Sequence, residues 1–256
     1  ARLAGHAEIK LSRNISINTE ASIGIFDNFD ELKLASDSVL PHVRTDIVKY
    51  LKATKDYSIN RIQANYFLNP WNNLYAKISG GLLEDMFGGI GGEILYRPFN
   101  KKWAVGLTAH RVKQREYRQR FGFRDYETDT GFLELYYDFP KRVSASLLVG
   151  KYLAGDKGAT LDLQRRFKSG FTLGIFATIT DLSKEEFGEG SFDKGFYFGI
   201  PTELFYTDYR SGTISFGLHP LTKDGGAIMN QHNSLYSIIG DSNYSSFEDK
   251  WLDILD

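Results

Sequence analysis

The chain has 256 residues, a formal net charge of −1, 42% hydrophobic and 14% aromatic residues, and no cysteine. The missing cysteine excludes disulfides and thiolate zinc sites, and the balanced charge offers nothing to attract nucleic acid. No run of about 18 apolar residues exists to cross a membrane as a helix, but a barrel dilutes its apolar residues by alternation and is not excluded.

That alternation begins at the first residues. Leu3, Gly5, Ala7, Ile9 and Leu11 oppose Ala4, His6, Glu8 and Lys10. From Asn14 to Ile25, Ile15, Ile17, Thr19, Ala21, Ile23 and Ile25 oppose Asn14, Ser16, Asn18, Glu20, Ser22 and Gly24. Successive side chains on a strand point to opposite faces, so each segment has one apolar and one polar face. Leu74 to Leu82, Trp103 to His110, Leu133 to Asp138, Val143 to Val149, Ala159 to Gln164, Thr172 to Ile179 and Ile214 to Leu218 repeat the pattern. Less regular strands fit around 58–68, 87–97 and 194–206. About twelve such segments, each near the length of a tilted membrane strand, predict an all-β fold. Its expected form is an antiparallel transmembrane β-barrel of about 12–14 strands over residues 1–222.

The connections alternate in length. Short turns fall at 12–14, 69–72, 100–102, 140–142, 168–170 and 208–211, where Gly, Pro, Asn and Ser supply turn geometry. The other set is mostly longer: 27–56, 84–87, 113–129, 154–157 and 181–193. One short rim and one long rim is the asymmetry of an outer-membrane barrel. Aromatics flank the short turns, and Trp71, Trp103, Tyr137 and Phe139 are the expected girdle at one membrane boundary. The competing fold is a soluble sandwich whose hairpins carry the aromatics.

Two stretches read as helix. In the loop at 35–56, Thr45 is positioned to cap a helical turn starting at Asp46. In the tail, 223–256, Ser245 and Glu248 form a capping box ahead of Phe247, Trp251, Ile254 and Leu255, which share one face. Ser234 to Ile239 is the candidate return strand that an even barrel requires, with a first strand expected upstream of Ala1. The chain starts without Met or signal peptide, so it is read as mature or as a piece of something longer.

Motifs at the long-loop rim go further than alternation. They are Leu40-Pro41-His42-Val43-Arg44-Thr45-Asp46, the run Leu83 to Glu93 leading to Leu95-Tyr96-Arg97-Pro98, Phe121-Gly122-Phe123, Gly150 to Asp156, and Phe187 to Gly195. In this order they resemble the YjbH family of exopolysaccharide and capsule outer-membrane proteins, including the GfcD type. The resemblance implies a C-terminal portion of a longer Gram-negative outer-membrane protein. It also implies a role in making or exporting surface polysaccharide, with no catalytic residue set. The implied partners are the lipid bilayer, the polysaccharide, and export-machinery proteins or the rest of the same polypeptide.

The rim motifs collect charge beside glycine. Arg44, Asp46, Glu84, Asp85, Asp156, Glu189 and Asp193 are the candidate site, either a polysaccharide path or a salt-bridge network that folds the loops into the mouth. Along the polar strand faces Glu8, Lys10, Arg61, Lys77, Glu93, Arg97, Glu134, Asp138, Asp162, Arg166 and Glu203 either pair across a filled lumen or line a wide pore. Two classes compete: a plugged barrel that anchors a periplasmic complex, and an outer-membrane lipid or glycan hydrolase or deacylase. The enzyme would draw on His110, His219 or Ser191, although no Gly-x-Ser-x-Gly elbow is present. Asp27, Asp30 and Glu31 lack calcium-loop spacing, so neither metal nor cofactor is expected.

Overall fold

The computed structural model describes residues 1–32, 38–187, 192–202, 205, 213–218 and 222–240. Twelve strands run in chain order: β1 (Arg2–Lys10), β2 (Ile15–Gly24), β3 (Tyr57–Trp71), β4 (Leu74–Leu82), β5 (Phe87–Tyr96) and β6 (Trp103–Arg115), then β7 (Phe123–Phe139), β8 (Val143–Lys151), β9 (Lys157–Arg166), β10 (Thr172–Thr180), β11 (Asp193–Pro201) and β12 (Thr213–Leu218). They make one sheet in which each strand pairs antiparallel with the next. Among the described residues three short α-helices accompany it, α1 (Ile47–Ala53), α2 (Lys184–Phe187) and α3 (Leu235–Ile239), with a 3-10 turn at Phe29–Glu31. Among the described residues, no helix is long and apolar enough to cross a membrane.

Alternation places the polar row inside. Lys77 and Ser79 are 3% and 4% exposed, whereas Ile78 between them is 56% exposed. Ser16, Asn18, Gln63, Asn65, Thr108, Thr130 and Glu134 are likewise buried. Ile90, Ile94, Leu107, Leu133, Leu135, Leu161, Leu173, Ile175 and Ile179 face outward. Many of the buried polar groups bond one another along the inner face, which offsets the cost of removing them from water. Asn65 Nδ2 donates to Asn18 Oδ1 at 2.7 Å, Gln63 Nε2 to Asn65 Oδ1 at 2.6 Å, and Thr108 Oγ1 to Glu134 Oε1 at 3.0 Å.

The two rims differ as the turn chemistry predicts. Two-residue and three-residue turns carry left-handed residues, Asn73 (φ 64°), Lys141 (φ 63°) and Arg142 (φ 58°). β3 reads less regularly because of a bulge: Glu20 pairs Arg61 while Ala21 pairs Ile59, so Asn60 is the extra residue. Several expectations change. β6 and β7 continue to Arg115 and from Phe123, so most of the expected 113–129 loop is strand. The long cross-strand ladder from Trp103↔Tyr137 to Lys113↔Glu127 extends the hairpin beyond its neighbours. The sheet is not closed: among the described residues nothing pairs β1 with β12. Ser234–Ile239 is no return strand, because Ser234 caps α3, its side chain accepting from the Ser237 amide at 3.2 Å. The tail capping box at Ser245 and Glu248 lies outside the described residues.

Instead of pairing at an edge, residues 222–240 run along the concave face of the sheet. His232 meets His6 of β1 with ring centroids 5.5 Å apart, while Gly226 packs against Thr178 of β10 and Asp193 of β11. Strands near both ends of the sheet therefore surround one segment. The apolar core lies there and in the loops, not between two sheets. Val43, Tyr50, Leu83, Met86, Phe87, Val112 and Leu153 enclose Ala227 and Met229. At the other end Leu95 and Ala104 hold Leu235.

Close strand packing fixes the register at Gly81, whose φ is 126° and where a Cβ would lie 2.2 Å from the Ile62 carbonyl oxygen. Gly81→Ala is expected to destabilise the fold by about 1–3 kcal/mol. Guanidinium unfolding in detergent checks it, and an unchanged midpoint would refute the close β3–β4 approach.

Candidate functional site

The long-loop rim is tied to the inner segment by charge. Arg44 donates to both Glu84 carboxylate oxygens, at 2.7 and 3.0 Å, and to the Ile228 carbonyl at 2.8 Å. A bidentate arginine–carboxylate pair is among the stronger polar contacts. Glu84 also accepts the Asn230 amide at 2.7 Å. Asp224 accepts the Arg44 and Thr45 amides at 2.8 and 3.0 Å and the Thr45 hydroxyl at 2.6 Å. Thr45 is thus spent on the inner segment rather than capping α1, whose cap position Asp46 makes no side-chain capping bond.

Further along, Asp156 accepts the Gly226 amide at 2.8 Å, and Leu153 donates its amide to Ala227. Burial pushes the Asp156 carboxyl up against the opposing pull of that amide. Lys77 and Glu93, both 3% exposed, pair at 2.7 Å, and each also holds the segment: Lys77 at the Asn233 carbonyl, Glu93 at the Leu235 amide. At the short-turn end Tyr236 stacks on Tyr136 with centroids 3.7 Å apart, under the Arg97 guanidinium at 4.6 Å. Arg97 reaches Asp138 and the Gly240 carbonyl, both at 3.1 Å. The segment is therefore anchored from rim to rim.

Asp46 belongs to a separate cluster on the same rim. It accepts from Tyr117 at 2.7 Å and Arg124 at 3.2 Å, pairs Lys49 at 2.8 Å, and lies 3.1 Å from His42 Nδ1. Burial pushes its carboxyl up, but the hydrogen bonds from Lys49, Tyr117 and His42 outweigh this and hold it below the usual range. Asp85 accepts from Asn60 at 2.7 Å. Asp193 accepts its neighbour Lys194's amide at 2.8 Å beside Gly226. Glu189, Ser191, Glu203 and His219 lie outside the described residues.

The expected rim thus resolves into two networks, Arg44–Glu84–Asp224 and the Asp46 cluster, with Asp85, Asp156 and Asp193 around them. Sequence reasoning missed Asp224, a lone acid in a polar tail with no spacing signal. It also missed Arg115, fully buried, whose guanidinium bonds the carbonyls of Ile59, Asn60, Glu84, Gln119 and Arg120 at 2.7–3.1 Å. This one side chain staples the β3 bulge to the loops at 83–86 and 116–122. Glu8 and Lys10, expected in the lumen, are exposed on β1, an edge strand with one neighbour. His110 faces inward in the space left by Gly91, where a Cβ would lie 1.9 Å from its ring. The expected girdle residues Trp71, Trp103, Tyr137 and Phe139 are all exposed, with Trp103 and Tyr137 directly paired across strands. Among the described residues, no group of three or more His, Cys, Asp or Glu is placed to hold a metal.

The molecule is thus an all-β protein, one antiparallel twelve-stranded sheet with a polar concave face occupied by its own chain. Residues 1–241 match the YjbH family, described as exopolysaccharide biosynthesis protein YbjH, and the chain belongs to that family. It is 40% identical over 245 residues to a protein of Escherichia coli (strain K12) described as an uncharacterized lipoprotein YjbH. The match covers 93% of this chain and 35% of that relative, so the chain spans about a third of its length. No solved structure matches.

The Asp46 cluster carries a pH prediction. Its folded-state pKa lies below that of the unfolded chain, about 3.9, so its stabilisation is present above that value and is lost as pH falls through the folded-state pKa. Amide exchange over 42–53, corrected for intrinsic rates, should stay slow down to about pH 4 and accelerate as pH falls further. Asp46→Asn should exchange faster at neutral pH and lose most of that dependence. A wild-type profile that stays flat would remove Asp46 as the clamp.

Proposed function

We propose that this protein is a β-barrel of the Gram-negative outer membrane that takes part in export or assembly of surface polysaccharide and is not itself a catalyst. The observation that carries the membrane reading is inverted burial: polar side chains are buried on the inner face while many large apolar side chains are exposed along the strands. In water such a surface is far larger than a soluble monomer leaves uncovered, whereas in hydrocarbon it is the low-energy arrangement. Membership of the exopolysaccharide biosynthesis family supports the polysaccharide role. The label lipoprotein on the E. coli relative fits attachment to a membrane.

The rim of Arg44, Glu84 and Asp224 is the working end in this reading. It fastens the segment that occupies the lumen, so it governs whether a chain passes. A second reading has an observation of its own: the anchoring of residues 222–240 from rim to rim favours a closed scaffold for an export complex. Conductance of the full protein in planar bilayers separates them. For a conduit, Arg44→Ala should raise single-channel conductance several-fold and impair export at matched protein levels, while Lys101→Ala on the short-turn rim changes neither. Equal behaviour of the two variants would dismiss the rim, and zero conductance in every variant would leave the scaffold.

The girdle is checked separately. Trp71 and Trp103 should be quenched most by lipids brominated near the headgroup, at matching depth. Quenching of one from the bilayer centre, or of neither, would reject the membrane boundary there.

A further inference from the structure

A cavity of about 400 Å³, open on one side, lies between the inner face of β8–β11 and residues 222–228. It falls within the range of small-molecule sites, roughly 300–1,000 Å³. We infer that it is a binding site for hydroxyl-rich, uncharged sugar units. Its wall combines one aromatic ring, Phe176, with the carboxylates of Asp162 and Asp193 and the hydroxyls of Thr160 and Thr178. A neutral sugar presents the matching surfaces: a C–H face for the ring and hydroxyl donors for the carboxylates, as charge-assisted hydrogen bonds.

The polar wall is prearranged. Tyr152, Thr160 and Thr178 form a hydroxyl chain with spacings of 2.7 and 2.8 Å. Asp162 is oriented by the Tyr197 hydroxyl at 2.9 Å. Arg44 and Lys223 also line the cavity. Arg44 is balanced by its bidentate pair with Glu84, while the Lys223 ammonium, 4.8 Å over the Phe187 ring, keeps its charge. The carboxylates of Asp162 and Asp193 outnumber it, so the wall is net negative and an acidic sugar is disfavoured by like charge. The far wall is Gly226, Ala227 and Ile228, the part of the inner segment that Arg44 and Asp156 hold. A sugar bound here touches the latch itself, so the site rests on the polysaccharide reading above and adds the class of sugar.

The test uses the full-length protein in a detergent without a sugar headgroup. Maltotetraose, chitotetraose and tetragalacturonate are the probes, and hydrogen exchange followed by mass spectrometry is the readout. At least one neutral probe should protect the 222–228 backbone, and tetragalacturonate should not. Phe176→Ala should weaken that binding about tenfold, the loss of one good contact. Leu148→Trp, which fills the cavity without removing a polar group, should abolish it and guards against misfolding of the first variant. Protection by none of the probes, protection elsewhere, equal protection by the acidic probe, or normal binding in Leu148→Trp would each overturn the site. Failure here with export still lost in Arg44→Ala sinks the sugar site alone. Binding here with export indifferent to Arg44→Ala sinks the export reading alone.

Discussion

The structure depends on one constraint: a sheet whose buried face is polar must satisfy that face from within. Burying a polar group without a partner costs on the order of 1–3 kcal/mol, and an unpaired charge costs more. Twelve strands of alternation generate dozens of such groups in one concave space. The protein meets the demand partly by neighbour-to-neighbour bonds such as Gln63–Asn65–Asn18. A further part of the charge is met by threading its own backbone through the space. Residues 222–240 bring amides to Glu84, Glu93 and Asp156 and carbonyls to Arg44, Lys77 and Arg97.

This arrangement explains why the inner segment is neither strand nor free loop. A strand there would need a sheet edge, and β4, β5, β10 and β11, which hold most of the segment, already pair on both sides. An extended chain followed by a short capped helix instead leaves its backbone groups free to bond charged side chains. Such bonds are stronger than neutral ones, and they are made by few residues. The segment is consequently held at separate points with cavities between them, one of about 400 Å³ and another of about 310 Å³, both walled by Arg44 and Ile228. A tether of this kind resists casual opening yet depends on a small number of ion pairs.

The rim loops obey a related logic. They carry much of the apolar core, with Val43, Tyr50, Met86 and Leu153 packed with Phe87 of β5 and Val112 of β6 around the entry of the inner segment. Arg115 then satisfies the Glu84 and Gln119 carbonyls in two loops and ties them to the Ile59 carbonyl of β3. These loops hold Arg44, Asp46, Glu84 and Asp156 at one end of the sheet.

The sequence alone determined the strands, because a period of two is written residue by residue and one face must differ from the other. It determined the short and long rims, because Pro, Gly and Asn mark tight turns locally. It also placed Arg44, Glu84, Asp156 and Asp193 at one end, since strand parity fixes the end to which each loop belongs. Only the tertiary structure decided that Glu84 pairs Arg44 while Asp46 joins Tyr117 and Arg124. Parity gives height along the axis but not angle around it. Only the tertiary structure decided that Ser234–Ile239 turns into a helix inside the sheet. Six residues fit either period, and the choice rests on Glu93 and Tyr136, some 100–140 residues away. Asp224 carried no local signal at all, because its role consists entirely of partners that folding brings to it.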